Sequence, residues 1–161
     1  MLTRLPDHGR YGYSPIEGRP DYSWPGGKRL ALHFATNLEV FAYAQGLGHT
    51  PTIANPPLPQ PDQRGHAWRD YGLRVGVFHL LDVLDRLGLP ASHLVNSLLY
   101  NYAPEILDRV RARGDEIVGH GRTNAERQGT LWEDDEAALI REATETIRRH
   151  EGRRPRGWMS P

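Results

Sequence analysis

From Leu73 onward the chain alternates two hydrophobic periods, and no other feature limits its fold as strongly. Leu73, Val77, Leu80, Leu81, Leu84 and Leu87 recur at helical spacing, and Gly88 followed by Pro90 supplies a stop. Residues 91–96 then read as a short strand. Pro104 opens a second helix that carries Ile106, Leu107 and Val110, and Gly114 closes it. Residues 116–119 make another strand. Ala137, Ile140, Ala143, Thr144 and Ile147 continue a helical stripe to Gly152, with Thr130 and Glu133 at capping-box spacing and an acidic run, 133–136, where the helix dipole favours it. Residues 155–159 read as a last strand. Upstream, residues 29–36 alternate Leu30, Leu32 and Phe34 with Ala31, His33 and Ala35, which predicts the first strand. This order implies an α/β fold whose parallel strands are joined by right-handed helical crossovers, in a sheet either open or closed into a barrel.

Two segments interrupt the pattern. Residues 1–28 are rich in Gly, Pro and aromatics and predict an irregular leader packed through its aromatic rings. Residues 45–66 hold Pro51, Pro56, Pro57, Pro59 and Pro61 and read as a loop on the functional rim. The domain proper then spans 29–161. A length of 161 residues fits one domain or a portion of one. Twenty basic residues against twenty acidic ones leave no net charge, which argues against nucleic acid or an anionic membrane as partner. The absence of cysteine excludes disulfides, thiolate zinc sites and a cysteine nucleophile. No signal-type apolar segment or membrane span appears, so the expected compartment is the cytoplasm.

Parallel α/β folds bind ligands at the carboxyl ends of their strands. The residues there are Asn37-Leu38-Glu39, then Asn96 and Ser97, then the stretch from His120 to Asn124, then Trp158-Met159-Ser160. A carboxylate, an imidazole and several amides could supply a base, a proton donor and oxyanion donors, or serve only as turn-forming and capping groups. His120 stands between Gly119 and Gly121, whose missing side chains permit close approach of a ligand or of backbone. Asn124 lies four residues on, the spacing at which paired histidines take a divalent ion, although an amide is the weaker ligand. Arg122 could bind a substrate carboxylate or a surface acid. In the segment before the first long helix, Asp70 is the expected N-cap and Arg69 a rim residue. His33, His79 and His93 read as structural.

Residues 29–161 resemble the first half of the polysaccharide deacetylase superfamily, the nodulation-protein-B homology domain, and in particular its allantoinase-like branch. The resemblance rests on Asn37-Leu38-Glu39, on HAWRDYG at 66–72, on RGDEIVGHG at 113–121 and on PRGWMSP at 155–161. It implies a partial (β/α) barrel of the glycoside hydrolase/deacetylase type that hydrolyses carbon–nitrogen bonds other than peptide bonds, in a carbohydrate or ureide substrate. It casts Glu39 as base, water-orienting group or ligand, and His120 as electrophile or ligand. Asn37, Asn96, Arg122, Asn124 and Trp158 become substrate contacts. The implied cofactor is either none or one zinc-type ion on His120, Glu39 and Asn124. Where the family has two aspartates this chain offers Glu39, where it has a second histidine it has Asn124, and where it has an arginine it has Met159. The family's barrel continues for about as many residues again. The expected partners are therefore a small-molecule or oligosaccharide substrate and a second copy that completes the barrel, with a truncated, inactive half-domain that binds a ligand or associates with another chain as the alternative to an enzyme.

Overall fold

A computed structural model describes residues 9–43 and 61–161. Of the proline-rich segment 45–66, residues 45–60 lie outside these. The chain divides into two compact units, Met1–Leu32 and His33–Pro161.

The first unit is irregular. Trp24 and Lys28 pair across a tight turn, Pro25–Gly27, through backbone hydrogen bonds of 2.7 and 3.2 Å, and Gly26 and Gly27 take the left-handed φ values of 73° and 72° that glycine tolerates. Arg29 pairs with Asp21 at 2.9 Å. Tyr11, Tyr13 and Tyr22 are exposed, which corrects the expectation of aromatic packing. A stretch this short and rich in Gly and Pro has too few apolar neighbours to bury a ring.

The second unit holds a parallel three-stranded sheet in the order β1 (Ala35–Leu38), β2 (Ser92–Val95), β3 (Glu116–Gly119). Helices α1 (Gln63–Tyr71) and α2 (Val77–Leu87) link the first two strands, α3 (Leu99–Tyr102) and α4 (Pro104–Arg113) link the next two, and α5 (Glu133–Glu151) follows the third. Central β2 is buried along its whole length, as expected of a strand flanked by parallel neighbours and covered on its faces. Its Val95 packs with Leu81 and Leu84 of α2 and with Leu107 and Val110 of α4. Gly88, Gly114 and Gly152 end their helices in the left-handed conformation, as the sequence predicts. Among the described residues no helix is long and apolar enough to cross a membrane.

Four local expectations change. The first strand runs from Ala35 to Leu38, later than the predicted 29–36, because pairing with β2 begins where the Phe34 carbonyl accepts the Ser92 N–H at 2.9 Å. Leu30 and Leu32 alternate without burial, at 71% and 74% exposure. The first long helix begins at Gln63, and Asp62 is its N-cap, accepting the Gly65 N–H at 2.9 Å. A side chain at position 65 would collide with that carboxylate, so the cap requires glycine there. Asp70 therefore sits inside the helix rather than capping it. A π-helical turn, Gly72–Gly76, joins α1 to α2. Thr130 bonds back to the Arg127 carbonyl and does not cap α5, whose N-cap is Trp132 without a side-chain bond. The expected fourth strand contracts to a single parallel bridge between Gly119 and Trp158.

Candidate active site

The sheet hydrogen bonds bring three strand ends together. The Asn96 N–H donates to Leu38, the His120 N–H to Val95 and the Asn124 N–H to Val40, at 3.2, 3.0 and 3.0 Å. Residues distant in sequence thus meet on the rim that the strand-end rule selects.

Glu39 and His120 face each other, with Oε1 and Nε2 3.2 Å apart. His120 Nδ1 donates to the Met159 carbonyl at 2.7 Å, since that carbonyl can only accept, and a bond from Nε2 to the ionised Glu39 takes a second ring N–H, as the imidazolium form has. Met159 is held in turn by its N–H on the Gly119 carbonyl at 2.9 Å. Burial pushes the Glu39 carboxyl up, but hydrogen bonds from His120, Asn37 and Asn124, with the charge of His120, hold it below the usual carboxylate range. The Asn37 amide donates to Glu39 at 2.8 Å. Glu39 and Asn37 line a groove of about 290 Å³ with Thr36, Phe41, Arg69 and Leu73. His120 stands behind Glu39 with its side chain 3% exposed. It bonds that carboxylate and is not among the residues lining this groove.

Asn96 and Asn124 are oriented by a chain of bonds that begins at backbone. The Val40 N–H donates to Asn96 Oδ1 at 2.8 Å, so Asn96 Nδ2 turns toward the His120 carbonyl and toward Asn124 Oδ1, 3.2 Å away. Asn124 must then point its own N–H groups at Glu39, which it reaches. This amide is a donor to the carboxylate, with its oxygen already occupied. Asn96 is fully buried and belongs to the frame rather than to a substrate contact.

That orientation decides the fit of a metal ion. Among the described residues no three His, Asp or Glu side chains stand close enough to hold one, His120 Nε2 is directed at Glu39, and Asn124 offers N–H rather than oxygen. The donor set does not fit zinc. Titration with zinc is expected to leave the thermal midpoint of the protein unchanged. A stoichiometric rise in that midpoint would show that Asn124 can turn over and ligate.

Two other predicted contacts are engaged elsewhere. Arg122 makes a two-pronged ion pair with Glu126 and a further one of 3.0 Å with Glu142, so its guanidinium is already paired within the protein. Trp158 lies on Gly119, where a Cβ would come within 2.5 Å of the indole, and its Nε1 donates to Gln128 at 3.2 Å. The group that approaches Gly119 closely is thus protein, not ligand. The residue sequence reasoning missed is Gln128, buried at 1% exposure and accepting from both Trp158 and Ser160. Its polar identity within a turn gave no signal of burial. A second cleft of about 250 Å³, at the opposite end of β3 and lined by Asp115, Glu116 and Arg153–Arg156, contains none of the rim residues.

The described fold is similar to that of a probable polysaccharide deacetylase from Pseudomonas aeruginosa PAO1, with a TM-score of 0.76 at 26% identity over 92% of this chain and 53% of that one. It is also similar to Puue allantoinase, with a TM-score of 0.75 at 23% identity and the same coverages, a likeness of fold alone. The chain spans about half the length of these structures. No family model matches the sequence, and no curated protein matches it.

Proposed function

The second unit has the fold of the N-terminal half of the polysaccharide deacetylase domain, and on that premise we propose that it carries the base side of an active site that hydrolyses a carbon–nitrogen bond other than a peptide bond, in a carbohydrate or ureide. The carrying observation is the Glu39–His120 contact, in which an ionised carboxylate faces a groove and the buried His120 ring, anchored on the Met159 carbonyl, holds it from behind. Glu39 takes a proton from a water molecule as the water oxygen adds to the substrate's carbonyl carbon. The former carbonyl oxygen gathers the negative charge, and the Asn37 amide, which lines the groove beside Glu39, is a donor group for it. The carbon–nitrogen bond then breaks, and the amine leaves with the proton that Glu39 had taken. His120 returns Glu39 to its starting geometry.

Hydrolysis of N-acetylglucosamine oligomers, allantoin and simple formamides tests the reading. Cleavage of at least one class above the rate of buffer is expected. No cleavage of any, with intact fold, overturns it, and binding without turnover would favour a ligand-binding half-barrel.

A further inference from the structure

Arg69 is the one charged residue lining the groove that the mechanism leaves unused. It lies near the end of α1, and its guanidinium carbon stands 4.6 Å from the centre of the Phe41 ring. Its Nε is buried without a hydrogen-bond partner, and the guanidinium makes no ion pair or hydrogen bond to any described residue. The nearby acids do not serve it. Asp70 is held by Arg74 and by Tyr102, at 2.7 Å from the latter, and Glu39 by His120 and Asn37. Stacking on Phe41 satisfies the face of the guanidinium but not its in-plane N–H groups. A half-buried cation with its fork unpaired is costly in the empty protein and valuable to a ligand that pairs with it. Every other arginine beside the core of this unit has taken such a partner: Arg113 has Asp115 and Asp85, Arg122 has Glu126 and Glu142.

We infer that Arg69 is the substrate-anchoring residue of the groove and that the substrate carries a carboxylate a short distance from the carbon–nitrogen bond presented to Glu39. The inference rests on the hydrolase reading above and narrows its substrate class. The planar guanidinium fork matches a carboxylate through two parallel hydrogen bonds, whereas a neutral sugar hydroxyl or a single carbonyl would use one donor and leave the charge unmatched. The groove has room for this. Its volume of about 290 Å³ holds Arg69 and Glu39 in one cleft without an ion pair between them, so one end can take the anion while the other receives the amide carbonyl.

The test compares N-acetylglycine with its neutral amide, N-acetylglycinamide, as ligands of the full chain by calorimetry or ligand-observed NMR. The acid is expected to bind at least about tenfold more tightly, and Arg69→Gln is expected to bring the two affinities to within about twofold of each other. Arg69→Lys should recover only part of the preference, because a point charge lacks the fork. Thermal unfolding shows whether each variant folds, and the acid-to-amide comparison on the unaltered chain stands without them. Equal binding of the two compounds, binding of neither, or an acid preference that survives Arg69→Gln overturns the inference. An Arg69-dependent preference for the acid with no hydrolysis of any amide would sink the hydrolase reading and keep this one. Glu39-dependent cleavage of neutral amides with no acid preference would do the reverse.

Discussion

Replacing Glu39 with Gln is expected to lower the rate of carbon–nitrogen bond hydrolysis by about 100-fold or more, the range that a positioned general base contributes. The change keeps the shape and the bond from Asn37 but removes the charge and the ability to accept a proton. The bond from His120 Nε2 then meets an amide, and Met159 still holds Nδ1. Glu39 is nearly enclosed, at 18% exposure, so the variant should fold with a midpoint close to that of the unaltered protein. The pH profile gives the second reading. Because burial raises the Glu39 carboxyl less than its hydrogen bonds lower it, the base is ionised down to pH values below its ordinary 4.5, and only under that value should activity fall. That acid limb should vanish in the variant. If Glu39→Gln hydrolyses within threefold of the original rate, the base lies elsewhere and the Glu39–His120 contact is structural.

The parts of this fold that local chemistry specifies were legible in the sequence. Residues 116–119 form β3 with the predicted bounds because Gly114 turns the chain before them and the helix preceding that glycine carries a clear stripe in Ile106, Leu107 and Val110. The start of the first long helix was not legible, since α1 buries none of its residues and so leaves no apolar period to read. Its signal was the cap, Asp62 with Gly65, whereas Asp70 has the composition of a cap and none of the geometry. In β1 the alternation at Leu30 and Leu32 imitates a strand, but a strand is defined by its partner, and pairing to β2 starts only near Phe34.

In the site, Glu39 and His120 were found because strand ends are where parallel sheets place their chemistry, and the structure brings those two together across 81 residues of chain. The roles of Asn96, Asn124 and Arg122 were not readable. An amide's function depends on which of its two ends meets a donor, and for Asn96 that is settled by the Val40 N–H, 56 residues away. Arg122 looks available in sequence and is occupied by Glu126, four residues later in the irregular segment after β3. Arg69 is the reverse case: its neighbours suggest many partners, and among the described residues folding gives it aromatic faces but no hydrogen bond or ion pair.

Asp115→Ala is expected to cost about 3 kcal/mol of stability. The Asp115 carboxylate, with its side chain 2% exposed, accepts from His93 Nε2 at 3.0 Å, Arg113 Nε at 2.6 Å and the Ala91 N–H at 3.0 Å. Those three donors lie at the start of β2 and the end of α4, so one carboxylate ties the central strand to the turn that leads into β3. Truncation leaves Nε2 of His93, wholly buried, without its partner and Arg113, 8% exposed, with Asp85 as its remaining ion pair. The retained Asp85 pair is why the expected cost sits at the lower end of the range for a broken buried pair. Urea unfolding at neutral pH measures it, and a loss under 1 kcal/mol would mean that water replaces the carboxylate. Acid gives the same contact a signature. Burial raises the Asp115 carboxyl, yet Arg113, His93 and the Ala91 amide outweigh it and hold the group below its ordinary 3.8 in the folded state. With the folded value under the unfolded one, the stabilisation is complete above the ordinary value and is lost as pH falls through the folded value. The unaltered protein should therefore lose stability more steeply than Asp115→Ala below about pH 4. Parallel slopes in the two proteins would assign the acid sensitivity to the other depressed carboxyls, Asp70, Glu39, Glu126 and Glu145, instead.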